Sequence, residues 1–176
     1  MSPKSVKHRK SNTRRMALSI SLFAAFTALV TTFVFGLWQP NIAQPTPTSP
    51  SFDLRSVTME LYRSPTCGCC EEYEKYLRAE GAAVKSIEVE RVDRIKDRLD
   101  IPRSMWSCHT ITVGGYFVEG HIPVEAVQKL LAEKPEVDGI ALPGMPHGSP
   151  GMGGAKSHPF QIYSITDGKV SEFMVV

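Results

Sequence analysis

Four cysteines are present in the 176-residue chain, three of them crowded into Cys67-Gly68-Cys69-Cys70 and the fourth in Ser107-Cys108-His109-Thr110. Adjacent Cys69 and Cys70 could pair with each other only through a distorted bridge, and Cys67 with Cys70 plus Cys69 with Cys108 is a full pairing that avoids it. Three thiols on one turn suit bridging thiolates, and soft sulfur selects monovalent copper. Sulfurs that each bridge several low-coordinate ions would let a few cysteines hold more than one. The residues therefore read as a multinuclear Cu(I) site on Cys67, Cys69, Cys70 and Cys108. Three other chemistries use the same positions. Structural disulfides are common for an even cysteine count outside the cytosol. Thiol–disulfide exchange needs only the Cys67 and Cys70 spacing. Four thiolates also hold Zn²⁺ tetrahedrally, although zinc ribbons draw two cysteines from each of two separated turns.

Further soft donors lie downstream. Met145, His147 and Met152 sit in Pro143-Gly144-Met145-Pro146-His147-Gly148-Ser149-Pro150-Gly151-Met152, a loop poor in other apolar residues. Thioether and imidazole both suit copper, while methionine also serves simply to plug a loop onto a core. His109 follows Cys108 directly, yet in a regular strand it points to the opposite face. His121, just before Pro123, could cap a helix start or bind metal.

These residues need elements to position them. Val57 to Tyr62 reads as a first strand, broken by Ser64-Pro65-Thr66 just ahead of the cysteines. A helix follows from Gly68 to Glu80 with Tyr73, Tyr76 and Leu77 as its apolar stripe and Gly81 as its stop. Ala83 to Val89 is a second strand, and Val92, Ile95 and Leu99 mark a second helix that closes before Pro102. Cys108 to Val113 and Tyr116 to Glu119 flank Gly114-Gly115, a hairpin turn. Pro123 opens a helix whose buried face is Val124, Val127, Leu130 and Leu131. Gly139 to Gly154 reads as an irregular loop, and Phe160 to Ile165 with Val170 to Val176 as a hairpin about Asp167-Gly168. The order β, Cys motif, α, β, α, β, β, α is that of an α/β thioredoxin-like domain, with a C-terminal loop and hairpin added. Cys67 would lie at the first helix's N-terminus, where the dipole favours a thiolate, and the start of the third strand would face it.

Charge and hydropathy divide the chain further. Residues 1–15 hold six Lys or Arg and no acid, and the rest is mildly acidic. An acidic body argues against nucleic acid. Residues 16–38 carry no charge, a length that crosses a hydrocarbon layer of about 30 Å. With basic residues only before it and Trp38 at its far edge, the positive-inside rule reads it as one N-terminal transmembrane signal anchor. Residues 1–15 then form a cytoplasmic tail and everything later is exported, in a bacterium to the periplasm. A cleaved signal peptide has a shorter apolar core, and Asn41-Ile42-Ala43 is a poor cleavage site; it too would export the domain. Residues 39–56 read as a Pro-rich linker and 57–176 as the metal-binding domain.

Other chemistry has little support. Glu71, Glu72 and Glu74 read as a solvated helix face near an N-terminus. There is no phosphate-binding glycine signature and no serine nucleophile elbow.

Taken together, Ser64-Pro65-Thr66-Cys67-Gly68-Cys69-Cys70, Ser107-Cys108-His109-Thr110, Tyr116-Phe117-Val118-Glu119-Gly120-His121-Ile122-Pro123 and the Leu142 to Met152 loop resemble the CopG-type family, small exported metal-binding proteins linked to bacterial copper resistance. The resemblance implies a periplasmic thioredoxin-like domain whose Cys67, Cys69, Cys70 and Cys108 bind copper, with copper efflux or resistance proteins as partners. A redox role toward copper has been suggested for the family. The chain departs from the family at Tyr73, where tryptophan is frequent, and at Gly153, where an acid often stands. His109 aligns with the position of the thioredoxin cis-proline, which favours metal over disulfide exchange.

Overall fold

The computed structural model describes residues 52–176. The basic tail, the apolar run and the linker up to residue 51 lie outside the described residues. Among the described residues no helix is long and apolar enough to cross a membrane.

Alternating apolar positions and glycine turns build one seven-stranded mixed sheet. In chain order the elements are β1 (Thr58–Arg63), α1 (Gly68–Ala79), β2 (Ala83–Glu88), α2 (Val92–Arg98), β3 (Thr110–Val113), β4 (Tyr116–Glu119), α3 (Val124–Glu133), β5 (Gly139–Ala141), β6 (Gln161–Thr166) and β7 (Lys169–Val175). The strands lie side by side as β2-β1-β3-β4-β5-β6-β7. β1 is parallel to β2 and β4 to β5, while the remaining neighbours are antiparallel.

The period-2 alternation of each strand sorts side chains onto two faces. Met59, Leu61, Ile111, Val113, Val118, Ile140 and Ile162 share one core with Tyr73 and Leu77 of α1 and Val127, Leu130 and Leu131 of α3. Phe117, Ala141 and Ile165 face the other way, into a smaller cluster with Ile101 behind α2. Leu54 belongs to the larger core although it falls in the stretch read as linker. A short 3-10 helix at Leu54–Ser56 seats it, capped by the Asp53 carboxylate.

Two differences from the sequence reading matter. The segment read as loop from Gly139 opens with β5, and this three-residue strand joins the C-terminal hairpin to the same sheet. A Cβ at Gly139 would lie 2.3 Å from the Phe117 carbonyl oxygen, so the parallel pairing requires glycine there. The second difference is that β3 begins at Thr110, two residues later than the pattern suggests. Cys108 and His109 are thereby released from strand alternation.

Candidate metal centre

Ser64-Pro65-Thr66 turns the chain out of β1 and into α1, with the Cys67 N–H donating to the Ser64 carbonyl at 3.1 Å. Cys67 is the N-cap of α1 and has no side-chain cap bond, so its sulfur is left for other partners. Free N–H groups and the helix dipole at this end favour negative sulfur. Cys67 and Cys70 are joined by a disulfide with Cα atoms 5.3 Å apart. Cys69 and Cys108 are free thiols. The Cys69 sulfur lies 3.6 Å from that of Cys67 and 3.7 Å from that of Cys108. All four sulfurs fall within 4.8 Å of one another, the convergence that the sequence reading required. Cys70 is buried while the other three are partly exposed, so the cluster opens to the surface.

Cys108 is delivered by a segment clamped from behind. The Ser107 N–H donates to Glu119 Oε1 at 2.6 Å, and the Thr110 hydroxyl donates to Glu119 Oε2 at 2.6 Å. Lys96 of α2 completes the network with an ion pair to Glu119 and a 2.9 Å bond to the Thr110 hydroxyl. Burial pushes the Lys96 ammonium down and the Glu119 carboxyl up, and each is opposed by the other's charge. Gly120 allows the close approach: at φ +86°, a Cβ there would meet the Leu142 carbonyl oxygen at 2.6 Å and the Ser107 Cβ at 2.8 Å. Sequence reasoning missed Lys96 and Glu119. The available signal was Lys96 itself, a charge on the same helical face as Val92 and Leu99.

The histidines correct a strand-based expectation. His109 was read as pointing away from Cys108, yet its Nδ1 is 3.3 Å from the Cys108 sulfur because both residues precede the β3 ladder. His121 does not cap α3, whose N-cap is Pro123. Its Nδ1 instead donates to the Pro150 carbonyl at 2.7 Å, and its Nε2 faces the Cys108 sulfur at 3.0 Å. A carbonyl only accepts, so Nδ1 carries the proton and a neutral His121 presents a bare Nε2 to the sulfur. Tyr73 holds both rings, with centroids 4.7 Å from His109 and 5.2 Å from His121, and its hydroxyl donates to the Ile122 carbonyl at 2.7 Å. Burial keeps both imidazoles neutral by lowering their pKa, most strongly at His109. Burial also pushes the Cys108 thiol up to about 12, with the Cys69 sulfur acting in the same direction. An incoming ion would therefore displace a proton there.

The downstream loop reaches the site through its backbone. Pro150 supplies the carbonyl for His121, and Gly151 packs so close to α1 that a Cβ would lie 2.5 Å from the Tyr73 nitrogen. Met152 follows and is half-buried. Met145 is 39% exposed, and exposed His147 bonds through Nδ1 to the Gly153 carbonyl at 3.3 Å. His147 joins neither of the two donor clusters found among the described residues, which are the four cysteines and Cys108 with His109 and His121.

Residues 105–152, which carry Cys108, both buried histidines and the loop, match a family described as a protein of unknown function, DUF411. A comparison with curated proteins finds no match. Two solved structures are similar to the chain. Form 2 of "Copper resistance protein copG" is 38% identical with a TM-score of 0.64, over 68% of this chain and 98% of that one. Form 1 is 38% identical with a TM-score of 0.63, over 68% of this chain and 96% of that one. The chain belongs to the CopG copper-resistance family. In this CopG-family chain the clustered sulfurs fit copper: soft donors from two distant stretches converge in one partly exposed cluster, and sulfur is the donor that copper in its monovalent state prefers.

Proposed function

We propose that this CopG-family protein is a membrane-tethered periplasmic protein that holds Cu(I) on Cys67, Cys69, Cys70 and Cys108. In doing so it limits copper toxicity or passes ions to an efflux or resistance partner. The observation that carries the reading is the meeting of four sulfurs within 4.8 Å. With the Cys67–Cys70 bond reduced, all four become available, and thiolates that bridge ions would build a multinuclear site. His109 and His121 stand beside Cys108 as nitrogen donors. The loop with Met145, His147 and Met152 is proposed as the port through which copper arrives by ligand exchange. A thioredoxin-like arrangement of β1, α1 and β3 is the fold proposed for the domain, and the uncharged run 16–38 is the proposed tether.

The test is anaerobic Cu(I) titration of the fully reduced chain with elemental analysis and thiol counting. More than one copper per chain, lost on Cys108→Ser, is the expected result. Zinc at one per chain with no copper uptake would replace this reading with a structural zinc site.

The Cys67–Cys70 disulfide favours a second reading, a thiol–disulfide oxidoreductase. Exchange would need only those two cysteines, so Cys108→Ser would leave disulfide reduction intact while abolishing tight copper binding.

A further inference from the structure

Of the two free thiols, Cys69 is the one that touches both the disulfide and the other thiol. Its sulfur lies 3.6 Å from that of Cys67 and 3.7 Å from that of Cys108. We propose that Cys69 is an exchange relay that moves the disulfide inside the folded chain, from Cys67–Cys70 to Cys69–Cys108. The inference rests on the Cys67–Cys70 bond. It holds whether or not the chain carries copper or reacts with an outside disulfide.

Two exchange steps suffice, and each balances. In the first, the Cys69 thiolate attacks the Cys67 sulfur: a Cys67–Cys69 bond forms, the Cys67–Cys70 bond breaks, and the electron pair leaves on the Cys70 sulfur. In the second, the Cys108 thiolate attacks the Cys69 sulfur: a Cys69–Cys108 bond forms, the Cys67–Cys69 bond breaks, and the pair leaves on Cys67. Each attacking thiol gives its proton to water, and each released thiolate takes one back. One disulfide and two thiols are present before and after, so no oxidant or reductant is consumed.

The placement of the sulfurs sets this route. Contacts of 3.6 and 3.7 Å are close to the roughly 3–3.5 Å of a near-attack pair. Bond formation closes each gap by about 1.6 Å. Attack by Cys69 on Cys70 instead would bridge adjacent residues, a distorted arrangement, and Cys70 is fully buried. Gly68 separates Cys67 from Cys69, and a Cβ there would meet nothing within 4 Å, so the small ring of the intermediate has a permissive residue in open space. Both leaving sulfurs sit at the N-terminal end of α1, Cys67 as the N-cap and Cys70 in the first turn. Free N–H groups and the dipole there favour thiolates, and a favoured thiolate leaves faster. Cys108 lies ahead of the β3 ladder and is not held by strand pairing. The bridge position then decides which thiols the protein offers: Cys69 with Cys108, or Cys67 with Cys70. A simple exchanger has no use for Cys69; a relay requires it.

The experiment uses the full chain with its Cys67–Cys70 bond formed, held anaerobically with a chelator to remove metal. A slow, limiting maleimide labels thiols as they become free in the folded protein; acid then stops exchange, and peptic peptides are mapped without reduction. The parent should gain label on Cys67 and Cys70 in chains whose Cys108 is bridged to Cys69, at a rate independent of protein concentration. Cys108→Ser should halt the relay at Cys67–Cys69, so that label reaches Cys70 and not Cys67. Cys69→Ser should cut labelling of both Cys67 and Cys70 by at least tenfold. Parent label confined to Cys69 and Cys108, a rate that rises with protein concentration, or a Cys108 bridge that still forms in Cys69→Ser would overturn the proposal. Cu(I) uptake by the reduced chain is measured separately: uptake there with label confined to Cys69 and Cys108 defeats the relay alone. Label on Cys67 and Cys70 in a chain that takes up no Cu(I) supports the relay and defeats the copper reading.

Discussion

The Glu119 carboxylate accepts the backbone N–H of Ser107 at 2.6 Å, tying the residue before Cys108 to the residue two before His121. Its second oxygen accepts from Thr110 and its charge is met by Lys96, both groups being buried. Removing one partner of such a pair strands a charge in a dry interior, at a cost of about 3–5 kcal/mol. Lys96→Met should destabilise the protein by that order in urea denaturation. The double variant with Glu119→Gln should lose less than the sum of the singles, because the amide needs no counter-charge. Additive losses would show that the two residues act independently.

Gly120 separates Glu119 from His121 at φ +86°, with the Leu142 carbonyl and Ser107 occupying the space a Cβ would need. Gly115 has a similar φ of +90° with nothing within 4 Å of its Cβ position. Backbone strain of this kind costs about 1–3 kcal/mol, and both alanine variants incur it. Gly120→Ala adds a clash with backbone, so it should lower the thermal midpoint well beyond Gly115→Ala. It should also displace Cys108, read as faster alkylation of that thiol in the folded protein. Equal midpoints would refute the close-approach argument.

Tyr73 combines a hydroxyl bonded to the Ile122 carbonyl with a ring stacked on His109. Tyr73→Phe leaves a buried carbonyl with one partner fewer, a loss of about 1–3 kcal/mol, yet keeps the ring. Cu(I) affinity should therefore stay within a few-fold of the parent, and stability measured by denaturant should fall. Tyr73→Ala removes the stack as well and should weaken both. A Phe variant that loses copper binding while remaining folded would assign the hydroxyl a direct part in the site.

Much of this arrangement was readable from the sequence because the relevant signals are local. Two-residue glycine-bearing turns set two hairpins, with Gly114-Gly115 and Asp167-Gly168 at positive φ as the tight turns require. Apolar spacing at Tyr73, Tyr76 and Leu77 gave α1. The convergence of Cys108 on the α1 N-terminus followed from element order. What escaped was non-local or too short to show a period. β5 is three residues long and begins with glycine, so its pattern is indistinguishable from the loop around it. His109 was misplaced because alternation was extended two residues past the point where the ladder ends. Lys96 and Glu119 become partners only through pairing across 23 positions of sequence, and a lone charge on an apolar face does not name its partner.

Gly151 is where the downstream loop leans on α1: at φ +75°, a Cβ would lie 2.5 Å from the Tyr73 nitrogen and 2.8 Å from its Cα. Backbone of a helix cannot give way as a flexible side chain can, so Gly151→Ala must lift the loop. The neighbouring Pro150 carbonyl would move with it and release His121 Nδ1, whose bond to that carbonyl is 2.7 Å. The contact is between loop and helix backbone and breaks no strand pairing, so the thermal midpoint should fall only modestly. Amide hydrogen exchange across residues 142–154 should accelerate by an order of magnitude or more, as expected for local opening at unchanged global stability. Metal affinity should fall with it, since an imidazole no longer held by its outer partner binds roughly 10- to 100-fold more weakly. If exchange accelerates and affinity for the metal holds, the loop serves as a cover and His121 is oriented by Tyr73 alone.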